Sequence, residues 1–373
     1  MSRSAPKRPD PLRILQIGKY YPPHTGGIET HLQTLSEKLA GRFVLQVVVS
    51  NVNRRSVDET IGGVKIRRLS RWAAVAAAPI NPGLWSALRK RDIIHLHLPN
   101  PWANLLLLFR PGGARIVCSY HGDVVRQKYL ERIFRPWLKA LLRRSAAILV
   151  ATPAHIHNSP ILPEFIDRCH VVPYGIDFEH FSAPQPEAAV AEIRARFGTP
   201  LVLAVGRLVY YKGFEFLIEA MSEVKGSLII VGEGPLRASL QRRIDDLGLS
   251  ERVHLVGSVP DTRPYYAAAD VFVLPSVARS EGFGIVQLEA MAAGVPVVNT
   301  SLDTGVPFVS VHKMTGLTVP PSDPGELASA IGLLLADPEA RQRFGEAGRR
   351  RVRDEFSNEA MAREVEKIYE EIY

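Results

Sequence analysis

The chain has 373 residues, 46% of them apolar and 23% charged, with only two cysteines, Cys118 and Cys169. This is an ordinary globular composition, which excludes a disordered chain, a collagen-like fibre and a disulfide-stapled miniprotein, and the scarce cysteines suit a reducing compartment. The net charge of +8 is unevenly spread: residues 1–182 carry 26 basic and 12 acidic side chains, and the remainder 20 basic and 26 acidic.

A single hydrophobic core rarely grows beyond ~250–300 residues, so this length suggests two domains or one large one. The first eleven or so residues (MSRSAPKRPDP) are basic and contain proline, with no apolar run behind them. They read as a solvated tail rather than a signal peptide, and nowhere do about 18 apolar residues run together, so a cytoplasmic protein is expected. LRILQIG reads as the first strand, followed by the loop KYYPPHTGGI and an amphipathic segment. Gly26 and Gly27 let backbone approach a ligand at a helix start, which fits a phosphate or sugar contact, or else they simply turn the chain. RFVLQVVVS and DIIHLHL are the next strands. His95 and His97 lie at i and i+2 on one side of theirs; with no third ligand at suitable spacing, packing or a cleft edge is favoured over a metal. ARIVCSY follows and ends in His121, Gly122 and Asp123. His121 at a strand end suits orienting a substrate hydroxyl or moving a proton, and Asp123 suits holding the imidazole or binding a sugar.

The densest basic stretch is Arg126 to Arg144, with seven cations (Arg126, Lys128, Arg132, Arg135, Lys139, Arg143, Arg144) and one acid, Glu131. Apolar residues recur in it at helical spacing, including Trp137. Two readings compete: an amphipathic helix on an anionic membrane surface, or a domain helix with one buried stripe. Pro136 is expected to kink it or start a fresh turn. AAILVAT and HVVP complete the first strand series. Phe181 to Glu187 (FSAPQPE) reads as a linker, followed by the helix AAVAEIRARF.

The second series is PLVLAVG, GSLIIVGEG, RVHLVGSV, DVFVLP and VPVVNT. After the first of these, Arg207 and Lys212 lie in GRLVYYKG, where two cations outside a strand end would neutralise a diphosphate. The strongest feature is RSEGFGIVQLEAMAAG, where Glu281 and Glu289 flank a Gly-Phe-Gly turn and a helix start. The amides of Phe283, Gly284, Ile285 and Val286 would face an anion, while the two carboxylates accept from sugar hydroxyls. No RNP-like, zinc-finger or helix-turn-helix pattern points to nucleic acid. Near-continuous apolar strands separated by helices imply parallel sheets covered on both faces, hence an α/β protein of two doubly wound, Rossmann-like domains with a ligand cleft at the carboxyl ends of the strands.

PPHTGG, HGD, VVPYGID, GRLVYYKG and the E-x7-E of EGFGIVQLE, in this order over nearly the whole chain, resemble the retaining glycosyltransferases of family 4, which have the GT-B fold. The resemblance implies an acceptor-binding domain at 1–182, a nucleotide-sugar domain at 183–357, and a final helix, 358–373, crossing back to the first domain. It implies that Arg207 and Lys212 contact the diphosphate, Glu289 the ribose, and Glu281 with the backbone of Phe283 to Ile285 the transferred sugar. His121 would contact the sugar near the reacting centre, Gly27 the phosphates, and Val259 would lie near the base. It implies hexosyl transfer with retained configuration and neither metal nor cofactor. The EGFGIVQLEAM block is similar to members that use GDP-mannose in surface polysaccharide assembly, with a UDP-sugar as the alternative. A polyprenyl-diphosphate-linked acceptor and peripheral attachment to the inner face of the cell membrane follow from the same resemblance. The rival readings are a phosphorylase or sugar-nucleotide epimerase on this architecture, and a two-lobed binding protein, which would carry an export signal.

Overall fold

Parallel strands bury both faces and need helical crossovers, so alternating apolar runs and amphipathic segments dictate the architecture. The computed structural model describes residues 11–24, 26–75, 78–109, 113–122 and 128–373, with the backbone alone for residues 75 and 128–133. Two compact units result, one of residues 1–173 with 361–373 and one of residues 174–360.

The first unit contains strands β1 (Arg13–Ile17), β2 (Val44–Ser50), β3 (Val57–Ile61), β4 (Val64–Leu69), the small hairpin β5 (Ala73–Val75) and β6 (Ala78–Ile80), then β7 (Ile93–Leu98), β8 (Arg115–Tyr120), β9 (Ala147–Val150) and β10 (Cys169–Val171). Its main sheet runs β10-β9-β8-β7-β1-β2-β4-β3. All pairs are parallel except β3 with β4, a hairpin closed by Gly62 and Gly63, both at positive φ (56° and 79°). A two-residue turn with both central φ values positive matches the twist of the flanking strands. The final helix, Asn358–Ile372, sets Met361, Ala362, Val365, Ile368 and Tyr369 into this unit's core beside Ile14, Leu32 and Val47. Their spacing is one helical stripe, which is why the last residues of the chain belong with the first unit.

The second unit is a six-stranded, wholly parallel sheet of β11 (Leu201–Val205), β12 (Ser227–Val231), β13 (Val253–Gly257), β14 (Val271–Leu274), β15 (Val297–Thr300) and β16 (Gly316–Val319). The order β13-β12-β11-β14-β15-β16 reverses direction between β11 and β14, which opens a crevice at the carboxyl ends of those two strands. In the first unit the reversal lies between β1 and β7.

All eleven strands expected from the sequence form. The strands not anticipated are β3, whose side chains are mostly exposed, β4 beside it, the hairpin β5–β6, and the four-residue β16. The division between units falls at 173/174 rather than 182/183, because the short helix Phe178–Ser182 packs on Val286–Ala292 of the second unit. The helix Lys128–Arg144 continues through Pro136, so no fresh turn begins there.

The loops after β11 and β12 approach through glycine. A Cβ on Gly232 (φ 143°) would come 2.0 Å from the carbonyl oxygen of Gly206. Gly232→Ala should therefore destabilise the second unit by about 1–3 kcal/mol, from backbone strain and the forced separation of the two loops. Thermal denaturation checks this, and an unchanged melting temperature would contradict the close approach.

Candidate active site

At the reversal point of the second unit, β11 ends at Val205 and the chain passes through Gly206 and the exposed Arg207 into a single 3-10 turn, Tyr210–Lys212. Gly213 then adopts the left-handed conformation (φ 64°), where a Cβ would lie 2.2 Å from the Pro275 carbonyl oxygen. The backbone N–H of Val277 donates to the Tyr211 carbonyl at 2.9 Å, so the loops after β11 and β14 are sewn together. Lys212 is only 8% exposed and runs over Gly206, whose Cβ, if present, would lie 3.3 Å from Nζ. Its ammonium meets Glu281 Oε2 at 2.6 Å, and the Ser276 hydroxyl donates to the same oxygen at 3.1 Å. Glu281 is equally buried.

The second carboxylate lies one helix further on. Glu289 sits in the helix Val286–Ala292 and accepts a hydrogen bond from Tyr266 OH at 2.7 Å. Burial pushes the Glu289 carboxyl above the usual range, while the Tyr266 hydroxyl and the Lys212 charge pull it back. The Tyr266 phenol is pushed well up, by burial first and the neighbouring carboxylate second. The Tyr211 phenol is also raised, by burial and Glu281, against the opposing charge of Arg207. Lys212 thus acts electrostatically on both acids.

The Gly-Phe-Gly turn is fixed from beneath. Gly284 is left-handed (φ 70°), the Gly305 amide donates to the Gly282 carbonyl at 2.8 Å, and buried Asn299 Nδ2 donates to Gln287 Oε1 at 2.8 Å. Phe283 packs edge-on against Tyr174. Among the described residues no backbone carbonyl accepts from the amides of Phe283, Gly284 or Ile285. Unspent donors at a helix start favour an anion. Val259 lies half-buried in the loop after β13.

In the first unit Gly26 precedes the helix Gly27–Leu39, and a Cβ on Gly27 would meet nothing within 4 Å. His95 and His97 are fully buried. His95 is bonded to Tyr369 OH at 2.6 Å and Ser119 Oγ at 2.8 Å, a packing role. His97 Nδ1 lies 3.1 Å from Nε2 of half-buried His121. Asp123 and Arg126 lie outside the described residues, as do the side chains of Lys128 and Arg132. Of the other basic-segment residues, Arg135 donates to the Pro160 carbonyl, Lys139 pairs with Glu164, and Arg144 donates to the carbonyls of Leu107 and Leu108. Leu141 and Leu142 are in the core, whereas Arg143 and Trp137 are exposed. Much of this segment is therefore a domain helix with a buried stripe. Beside it, a small apolar recess is lined by residues including Leu98, Tyr120, Gly122, Phe134 and Leu138.

Sequence reasoning missed Tyr266, Ser276 and His31. Tyr266 and His31 meet their neighbours through the tertiary fold, and nothing in the local sequence distinguishes Tyr266 from Tyr265 beside it, whereas Ser276 lies only five residues before Glu281 in the loop after β14.

The chain matches the family models for glycosyl transferases group 1 over residues 185–351 and for glycosyltransferase family 4 over residues 25–180. It is 30% identical, over 96% of its length and 98% of the relative, to the O-antigen chain mannosyltransferase C of Escherichia coli. It is 32% identical to the GDP-mannose-dependent alpha-(1-6)-phosphatidylinositol monomannoside mannosyltransferase of Mycolicibacterium smegmatis, over 90% of this chain and 92% of that one. Among solved structures, Anabaena HepE in complex with UDP superposes with a TM-score of 0.77 at 18% identity, covering 96% of this chain and all of that one. The chain belongs to the family 4 glycosyltransferases, and it is a hexosyltransferase of the GT-B fold.

Removing the Tyr266 hydroxyl isolates its effect on Glu289. A carboxyl raised in the folded state holds its proton more tightly there than in the unfolded chain, so its ionisation subtracts stability as pH rises through the raised value. Tyr266→Phe should lift Glu289 further and cost about 1–3 kcal/mol at neutral pH, with a smaller loss in mild acid where the carboxyl is protonated in both proteins. Denaturant unfolding at the two pH values checks this, and equal losses would contradict it.

Proposed function

We propose that this enzyme transfers mannose from GDP-mannose, with retention of configuration, to a lipid-linked saccharide in the assembly of a cell-surface polysaccharide or glycolipid. The observation that carries the reading is the grouping of Lys212, Glu281 and Glu289 beside the exposed Arg207 and the unspent amides of Phe283 to Ile285. Two cations and a set of fixed N–H groups answer a diphosphate, and two carboxylates answer hydroxyls.

In this reading Arg207 and Lys212 hold the diphosphate, and Lys212 shares its ammonium with Glu281. Glu289, steadied by Tyr266, accepts from the ribose, and Glu281 with the amides of Phe283 to Val286 orients the transferred sugar. Val259 lies by the base. His121 serves the transferred sugar, Gly26 and Gly27 serve its phosphates, and Asp123 supports the same region. As the bond from the anomeric carbon to the diphosphate breaks, negative charge gathers on the leaving oxygen, where the cations and amides stabilise it. The acceptor hydroxyl attacks from the same face, its oxygen bonds to the anomeric carbon, and its proton passes to the departing diphosphate. No residue has to act as a dedicated nucleophile.

The two mannosyltransferase relatives favour GDP-mannose. A UDP-sugar donor is the second reading, favoured by the UDP bound to the Anabaena neighbour. The acceptor proposal draws on the apolar recess next to Gly122, which is also lined by two buried polar atoms without partners among the described residues, Asn104 Oδ1 and Arg135 Nε. Such a surface suits a molecule with an apolar chain and a polar head, such as a polyprenyl diphosphate. Among the described residues no helix is long and apolar enough to cross a membrane. We propose peripheral attachment to the anionic inner face through the exposed Trp137 and Arg143, aided by the other cations of the segment.

The test compares melting temperatures with GDP, UDP and ADP, followed by turnover of GDP-mannose and UDP-glucose on lipid-extracted acceptors. GDP should give the largest shift and GDP-mannose the product. Arg207→Ala should lose the shift and reduce kcat/KM by about 10²-fold or more. A shift that survives in Arg207→Ala contradicts the diphosphate assignment, preference for UDP overturns the donor, and failure to sediment with anionic vesicles overturns the membrane proposal.

A further inference from the structure

The helix Pro338–Glu355 directs one guanidinium into the second unit. The Arg351 side chain is only 11% exposed, whereas Arg349, Arg350 and Arg353 around it are exposed. Its Nε donates to the Val309 carbonyl at 3.2 Å and its Nη2 to the Phe308 carbonyl at 3.0 Å. Its Nη1 donates to both carboxylate oxygens of Glu355 at 2.7 Å. The guanidinium also lies over two rings, 5.0 Å from the centroid of Phe356 and 5.8 Å from that of Phe308.

Both sets of contacts lead to the Gly-Phe-Gly turn. Phe308 and Val309 end the short helix Val306–Val309, where carbonyls lack intrahelical donors. At the other end of that helix the Gly305 amide donates to the Gly282 carbonyl at 2.8 Å. On the aromatic side, fully buried Phe356 meets Phe283 with centroids 6.2 Å apart. One side chain thus braces Gly282 through a helix and Phe283 through a ring. We propose that Arg351 is a positioning residue for the transfer reaction, holding the turn so that the amides of Phe283 to Ile285 face the transferred sugar.

This role rests on the transfer reading, which gives those amides to the sugar. Arginine suits it because a planar fork serves two neighbouring carbonyls while its face covers aromatic rings, whereas lysine offers a point charge without the fork. The ion pair with half-exposed Glu355 adds little stability, so its service is to orient the fork. The groups assigned to the nucleotide are held by other bonds: Lys212 by Glu281, Glu281 by Ser276, and Glu289 by Tyr266. Loss of Arg351 should therefore act on the sugar and spare the nucleotide.

The test compares the wild type with Arg351→Met and Arg351→Lys, each checked by its melting temperature to be folded under the assay conditions. Calorimetry measures binding of a nucleoside diphosphate and of the matching donor, GDP with GDP-mannose or UDP with UDP-glucose, and turnover on lipid-extracted acceptors gives kcat. In both variants the affinity for the diphosphate should stay near the wild-type value and the ratio of donor to diphosphate affinity should fall. The kcat should drop by up to about 10²-fold, the cost of a small misplacement at the reacting centre. Arg351→Lys should show the same split as Arg351→Met, because charge alone does not replace the fork, and the exposed Arg350→Ala should match the wild type. In an active wild type, equal loss of affinity for both ligands, or an unchanged ratio and kcat, would overturn the positioning role alone. A wild type that turns over neither donor would overturn the transfer reading and this role with it.

Discussion

The buried ion pair of Lys212 and Glu281 is the constraint around which the second unit's site is arranged. Both side chains are about one-tenth exposed and meet at 2.6 Å. A pair so placed forfeits hydration on both ions and adds little net stability, whereas removing one partner strands the other at a cost of about 3–5 kcal/mol. Its value lies in position. Lys212 runs over Gly206, where a Cβ would crowd its Cε at 3.1 Å, and Gly213 is left-handed where the turn meets Pro275. The same ammonium also acts on Glu289, where burial raises the carboxyl and the Tyr266 hydroxyl and then the Lys212 charge oppose it.

The surrounding polar groups hold this arrangement still. Ser276 and Tyr266 each donate to one carboxylate, and the Gln287–Asn299 contact anchors the turn that carries Phe283 to Ile285. Electrostatic catalysis needs such preorganisation, because donors that must reorient as charge develops lose most of their advantage over water. The first unit shows a comparable economy. Its strand-end histidines are packed ring against ring, and His95 is tied to the final helix through Tyr369.

Much of this was legible in the sequence, for identifiable reasons. Buried parallel strands leave continuous apolar runs, so eleven strands could be read directly, while β3, with a largely exposed face, and the short β16 leave too faint a pattern. The glycines that bound the site were visible because they break otherwise regular segments. The carboxylate spacing was equally plain, but the pairing of Lys212 with Glu281 was not, since the two lie 69 residues apart and are joined by the adjacency of β11 and β14. The same holds for Tyr266 and for His31, whose ring lies edge-on to those of His97 and His121. The basic segment was read ambiguously because a buried stripe and a membrane-facing stripe have the same period, and the fold buries Leu141 and Leu142 in the core.

In the proposed reading Lys212, while bonded to Glu281, contacts the diphosphate of the donor. Calorimetric binding of GDP and GMP to the wild type and to Lys212→Met tests it most directly. The account predicts that the wild type binds the diphosphate far more tightly than the monophosphate and that the variant, still folded, loses most of that preference. Equal affinities for the two nucleotides in the wild type, or an undiminished preference in the variant, would contradict it.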